Sequence, residues 1–179
     1  MYDYIKLEEK WQKYWIDNKS LKAVNNGGDI HYYILVEFPY HSGSGLDVGH
    51  VRSYTAQDAK ARIKRMQGYN VLYPMGFDSF GSPAEQYAIK NHIHPKQAVA
   101  ENIKTFKGQM MNLGYSFDWD REFATSEPEY YKWTQWQFLQ FYKHGMAYKD
   151  TIAVNWCPTC TTVLSNEDSS GGVCDRLGW

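Results

Sequence analysis

The chain has 179 residues, enough for one domain with a substantial core and short for two. Its 43% apolar and 17% aromatic content excludes a disordered polymer. A formal net charge of −1 excludes the basic footprint of a dedicated nucleic-acid binder and leaves room only for a local patch. The opening stretch "MYDYIKLEEKWQKYW" is charged where a signal peptide is apolar, and no apolar run approaches the roughly 20 residues that cross a bilayer. Three cysteines gathered near the C-terminus make no disulfide framework, so the expected setting is cytoplasmic, with no membrane partner.

In chain order, Tyr4, Leu7, Trp11, Tyr14 and Trp15 recur with a helical period and predict an amphipathic helix over 4–17. "NNGGD" at 25–29 breaks it, and "HYYILVEF" at 31–38 is β-branched and aromatic enough for a buried strand. Residues 49–67 read as a helix stopped by Gly68, and "NVLYPMGF" at 70–77 as a second strand. Strand, loop, helix and strand in that order form the βαβ unit of a parallel, doubly wound sheet. Pro83 suits a first helical turn before "AEQYAIKNH". "HPKQAVAENIKTFKGQMMNLG" predicts a helix ending at Gly114, and "SEPEYYKWTQWQFLQFYKHG" one ending at Gly145. The tail from Met146 reads as strand and turn before the cysteine cluster.

The segment "VEFPYHSGSGLDVGHVRSYT", Val36 to Thr55, carries the chemistry. A strand gives way through a Gly/Ser loop to a helix whose first turn holds His50. Unpaired N–H groups and the dipole at a helix N-terminus favour anions there. Gly43 and Gly45 permit unusual backbone angles, Gly49 permits close approach of a phosphate, and His50 can donate a ring N–H to it. The spacing matches neither G-x-G-x-x-G nor a P-loop, so a plain tight connection stays open on the glycines alone.

Four blocks, "FPYHSGSGLDVGHVRSYTAQD", "MQGYNVLYPMGFDSFGSPAE", "NLGYSFDWDREFATSEPEYYKWTQWQF" and "VNWCPTCTTVLSNE", together resemble the bacterial leucyl-tRNA synthetases, class I aminoacyl-tRNA synthetases. Order and spacing match from about Tyr2 to Gly178, across the family's N-terminal portion. The resemblance implies an α/β fold: a partial Rossmann-like parallel sheet with flanking helices and a small cysteine-bearing appendage. Residues 1–150 would be the N-terminal half of the catalytic domain, and 151–179 the root of a zinc-knuckle-like insertion. It implies leucine attack on the α-phosphate of ATP, with Mg2+, then leucyl transfer to tRNA(Leu). The family's HIGH signature falls on Asp47-Val48-Gly49-His50, with His50 at the second histidine, where it stabilises phosphate charge. Asp78 matches the acid that holds leucine's ammonium group, and Phe38 and Tyr40 match residues lining the leucine pocket. Cys157, Cys160 and Cys174 fall on the zinc knuckle.

Several positions depart from that pattern. Asp47 replaces a histidine, and an ionised carboxylate would repel the triphosphate. At ~5 Å and an effective dielectric of 20, such repulsion is about a hundredfold in binding or rate. His41 stands for a proline, Ser82 for a leucine, and Leu177 occupies the place of a fourth cysteine. No KMSKS-like loop occurs, so the expectation is an ATP- and leucine-binding fragment, incomplete without the KMSKS half and the editing and anticodon-binding domains. The sheet edge left over would pair with a complementary C-terminal chain or with a second copy. A non-catalytic paralogue acting as a binding or assembly module is the alternative.

Three further features have simpler readings. Lys60, Arg62, Lys64 and Arg65 are expected to form a solvated helix face rather than an RNA contact. Tyr130, Tyr131, Trp133, Trp136, Phe138, Phe141 and Tyr142 are expected to be core or subunit interface rather than a base-stacking platform. His92 and His94 lack partners at metal spacing and are expected at the surface.

Overall fold

The computed structural model describes residues 3–26, 30–40 and 45–175. Two compact units divide the chain, Met1–Gln135 and Trp136–Trp179. The first contains helix α1 (Tyr4–Asp17), strand β1 (His31–Tyr33), helix α2 (Val48–Met66), and strands β2 (Asn70–Leu72) and β3 (Gly76–Phe77). Helices α3 (Ser82–Lys90) and α4 (Pro95–Asn112) and strand β4 (Phe123–Ala124) follow, and α5 (Pro128–Lys143) opens in this unit. The second unit carries the hairpin of β5 (Asn155–Cys157) and β6 (Thr162–Leu164).

Strands β1 and β2 pair in parallel, His31 to Asn70 and Tyr33 to Leu72; β3 and β4 pair in parallel, Gly76 to Phe123. This is the α/β class expected. The two long strands are shorter than predicted, and Pro74 explains why. Asn70 N–H donates to Ile30 O and Ile34 N–H to Leu72 O, so the next rung needs an amide at residue 74, where proline has none. Extended chain nevertheless continues to Tyr40, with Ile34, Val36 and Pro39 buried. Tyr33 and Leu35, on the opposite face, stay 57% and 71% exposed. The strand is buried on one face, not on both.

The core lies under that buried face. Ile34, Val36, Val71, Tyr73 and Phe77 meet Tyr54 and Ala61 of α2 and Phe106 and Met110 of α4. The Tyr73 and Phe117 rings sit 4.4 Å apart, with the Tyr54 ring edge-on to Phe117. Each fully buried side chain of this size contributes ~1.5–3 kcal/mol. Gly76 belongs here for a steric reason: a Cβ on it would lie 2.4 Å from the Phe123 ring.

The basic stretch of α2 departs from expectation. Only Lys60 of the four is exposed. Arg62 Nε donates to Asp58 Oδ2 at 2.7 Å, and its guanidinium also reaches Gly114 O and lies over the Trp15 ring. Arg65 donates to Ser116 Oγ and O and to Leu21 O. Asp58 Oδ1 accepts from both the amide and the hydroxyl of Ser116 at 2.6 Å. Lys64 lies over the Tyr32 and Tyr69 rings. Burial holds the Arg65 guanidinium below its ordinary value, and the Asp58 carboxylate opposes this.

The aromatic run of α5 is not core among the described residues. Trp133, Trp136, Phe138 and Tyr142 are each more than half exposed. At 100° per residue the seven rings spread over about two thirds of the helix circumference, more than one packed face covers. Tyr130 stacks on Phe123, and Tyr131 tilts against Phe80. His92 and His94 are exposed as expected, and the His94 ring caps α4 by accepting Lys96 N–H.

Replacing Asp58 by alanine is expected to destabilise the chain by about 3 kcal/mol, because the Ser116 amide and the Arg62 charge lose a buried acceptor. Lys60→Ala should change stability by less than about 0.5 kcal/mol. Urea unfolding followed by circular dichroism compares the two.

Candidate active site

Parallel strands place their carboxyl ends on one edge, where open α/β sheets bind ligands. Two of the predicted residues meet at that edge. Tyr40 and Asp78 form an isolated parallel bridge, with Asp78 N–H donating to Pro39 O at 3.1 Å. Asp78 follows β3 directly and is half-buried. Its Oδ1 accepts from Thr125 Oγ1 at 3.3 Å, and the same hydroxyl oxygen takes the Ser79 N–H at 2.8 Å. Among the described residues no lysine, arginine or histidine pairs with this carboxylate. Burial pushes the Tyr40 phenol above its ordinary value; the Ala84 backbone opposes this, and the Asp78 and Glu85 carboxylates reinforce it. The start of α3 therefore stands beside Tyr40 and Asp78. Phe38, half-buried, packs edge-on against Phe123 with centroids 5.3 Å apart.

The mouth of α2 is built by a reciprocal cap. Asp47, in extended conformation, accepts the His50 backbone N–H on Oδ1 at 2.9 Å, and its own N–H donates to His50 Nδ1 at 3.3 Å. A ring nitrogen that accepts leaves the proton of the neutral imidazole on Nε2. Should the ring be charged, Nδ1 faces Asp47 Oδ1 at 3.0 Å instead. Phe106 of α4 stands edge-on to the His50 ring, and Tyr54 lies tilted beside it. The His50 N–H, with the Gly49 N–H assisting, holds the Asp47 carboxyl below the usual range. Gly49 leaves room for that carboxylate, since a Cβ would sit 3.1 Å from Oδ1.

Gly45 is fixed by close approach. The Gln109 side chain of α4 accepts Leu46 N–H at 2.7 Å, and a Cβ on Gly45 would fall 2.5 Å from its amide nitrogen. Gly43 and His41 lie outside the described residues, as does Leu177. Ser82 opens α3, after Gly81 with φ of 126°.

In the second unit, Cys157 and Cys174 are buried and Cys160 is half-buried. Their sulfurs lie within 4.8 Å of one another, Cys160 and Cys174 at 3.7 Å. Two thiolates on one tetrahedral zinc, with Zn–S of about 2.3 Å, stand about 3.8 Å apart, so the donor set fits that ion. The Cys160 N–H, donating to Cys157 Sγ at 3.3 Å, pulls the Cys157 thiol below its ordinary value. Burial pushes the Cys160 thiol up to about 11.

Gln109, Thr125 and Phe106 were not anticipated from the sequence. Each reaches the site from an element distant in the chain, so no local spacing announces it.

The fold and the strand-end site define a class. A family model for class I tRNA synthetases (I, L, M and V) matches residues 9–171, and the chain belongs to that family. Within it, the chain is similar to the LeuRS of Agrobacterium radiobacter K84 agnB2, solved as a ternary complex with tRNA and LeuAMS. The identity is 38% and the TM-score 0.86, over 99% of this chain and 22% of that chain. The chain thus spans under a quarter of the relative's length.

The Asp47 cap sets a pH dependence. Its folded-state pKa is depressed, so its contribution is complete above the unfolded value of about 3.9 and lost as pH falls through the folded value. The His50 amide resonance, followed by NMR, is expected to titrate with a midpoint below about 3.9, and Asp47→Asn should abolish that titration.

Proposed function

We propose that this chain carries the ATP- and leucine-binding part of a leucyl-tRNA synthetase. The observation that carries the reading is the Asp78 carboxylate: half-buried at a strand end, beside Tyr40, with a hydroxyl for a partner and, among the described residues, no lysine, arginine or histidine paired with it. A carboxylate withdrawn from water calls for a counter-charge, and an α-ammonium group supplies one. Phe38 and Tyr40 line the space for leucine's side chain and exclude water, while His50 offers Nε2–H to the phosphates. Gly43, Gly45 and Gly49 keep the intervening loop close to the nucleotide. ATP enters with Mg2+ as substrate; leucine's carboxylate attacks the α-phosphate, and pyrophosphate leaves. Most of the rate comes from positioning and charge stabilisation.

In this reading residues 1–150 form the first half of the catalytic domain and 151–179 the root of an insertion. Cys157, Cys160 and Cys174 hold a zinc ion that keeps the hairpin folded, with a water or an outside ligand in fourth place. Leucyl transfer to tRNA(Leu) calls on the KMSKS half and on the editing and anticodon-binding domains. Further sequence, or a complementary chain on the exposed Tyr33 and Leu35 face, supplies them. The setting is cytoplasmic; no helix among the described residues is long and apolar enough to cross a membrane.

One observation favours a second reading. The Asp47 carboxylate already takes the N–H of His50, one of the donors a phosphate would use. A non-catalytic paralogue, serving as a binding or assembly module, would tolerate that.

Leucine-dependent ATP–pyrophosphate exchange separates the two. The synthetase reading expects exchange by the chain, with or without a supplied C-terminal half, and a gain in Asp47→His. It also expects Asp78→Asn to lower kcat/KM for leucine about a hundredfold, the usual effect of removing one partner of a buried charge pair. No exchange in either form, even with the second half supplied, sinks it. A leucyl-adenylate analogue at 100 times its Kd should add about 2.7 kcal/mol to stability, which a thermal melt registers. For the metal, one zinc per chain is expected by colorimetric release, falling well below one in Cys174→Ser.

A further inference from the structure

The first unit holds a cavity of about 230 Å³ between α1, the turn after it, the end of α4 and residues 115–120. It shares no residue with the strand-end site. We propose that it binds a flat aromatic monoanion, an aryl carboxylate about the size of one fused bicyclic ring.

Size comes first. An apolar cavity of about 150 Å³ admits benzene, so this one has room for roughly half as much again. Its walls suit a flat ring. Trp15, Phe117 and Trp119 line it with Ile16, Leu21 and Met111. Two of these rings are held in place before any ligand arrives. Arg62 lies over Trp15 at 5.1 Å, and Lys107 over Trp119 at 5.1 Å. Phe117 stands edge-on to Trp119. Met111 adds a polarizable side chain that adapts to an aromatic guest. Helix α1 buries none of its residues fully, so the cavity opens to solvent along this wall.

Charge selects the anion. Lys19 Nζ and Lys22 Nζ both donate to one oxygen of Asp120, at 2.8 and 2.7 Å. Two cations share one carboxylate at the rim. The neighbouring Asp118 offsets them only in part: its Oδ2 is taken by Arg121 Nε at 2.9 Å and Ala23 N–H at 3.0 Å, and its pull on Lys19 is weaker than that of Asp120. A ligand carboxylate that captures one lysine leaves Asp120 with the other, turning a two-on-one cluster into two pairs. The two lysines hold the Asp120 carboxyl down at about 2, so the rim keeps this charge pattern across neutral pH.

The test is a titration of the 179-residue chain with 2-naphthoate, and separately with the neutral 2-naphthamide, in the absence of ATP and leucine. Indole N–H resonances, assigned by Trp→Phe replacements, give the readout. Saturable shifts at Trp15 and Trp119, with Trp133 and Trp136 unmoved, are expected. The acid should bind about three- to fivefold tighter than the amide, the preference an exposed ion pair gives. Lys22→Gln should bring that ratio to about one with the melting temperature little changed, and Ile16→Trp, which narrows the cavity from its exposed edge, should weaken both ligands. No saturable shift at millimolar ligand overturns the proposal. So does equal affinity for acid and amide, or a preference that survives Lys22→Gln. None of these outcomes depends on nucleotide chemistry.

Discussion

Asp58 is the carboxylate on which the placement of α2 depends. One of its oxygens takes the amide and the hydroxyl of Ser116, and the other takes Arg62. Arg65, one turn on from Asp58's partner, returns to the same serine and to the carbonyl of Leu21. A buried charge is tolerable only when its lone pairs are filled, and these are. The network ties the helix to a segment nearly sixty residues away, and the Asp47 cap sets where its first turn begins. That first turn is the mouth at which His50 stands.

At this mouth one residue performs the structural task. Asp47 caps the helix and orients the imidazole through the reciprocal bond, so His50 is held as securely as by any conventional cap. The same carboxylate brings negative charge to a place where anions gather. Asp78 presents a second carboxylate, with no lysine, arginine or histidine paired with it among the described residues. The two acids differ in surroundings: Asp47 is largely exposed and engaged with backbone N–H groups, whereas Asp78 is withdrawn between β3, Thr125 and Tyr40.

Exposed large apolar side chains occur on α1, on one strand face, along α5 and in the second unit. Tyr33 and Leu35 lie opposite a well-filled core, and the rings of α5 run around most of a helix. The aromatic residues of α5 that do pack, Tyr130 and Tyr131, serve Phe123 and Phe80, and Phe123 in turn fills the space that Gly76 leaves.

Helices 4–17, 49–67 and 94–114 were legible in the sequence, to within a residue or two of their observed ends, because apolar period and helix-stopping residues are local properties. So was the strand–helix–strand order that points to a parallel sheet. Tertiary structure decided the rest. Pro74 cut the ladder short only because the register puts its missing N–H opposite Ile34. Arg62 and Arg65 left the solvated face because Ser116 and Gly114 lie within their reach. Gln109 and Thr125 entered the site from distant segments, and the three thiols converged through a hairpin turn. Period and composition record what a residue does to its neighbours in the chain; which distant group arrives to meet it is settled by packing, and no local pattern carries that information.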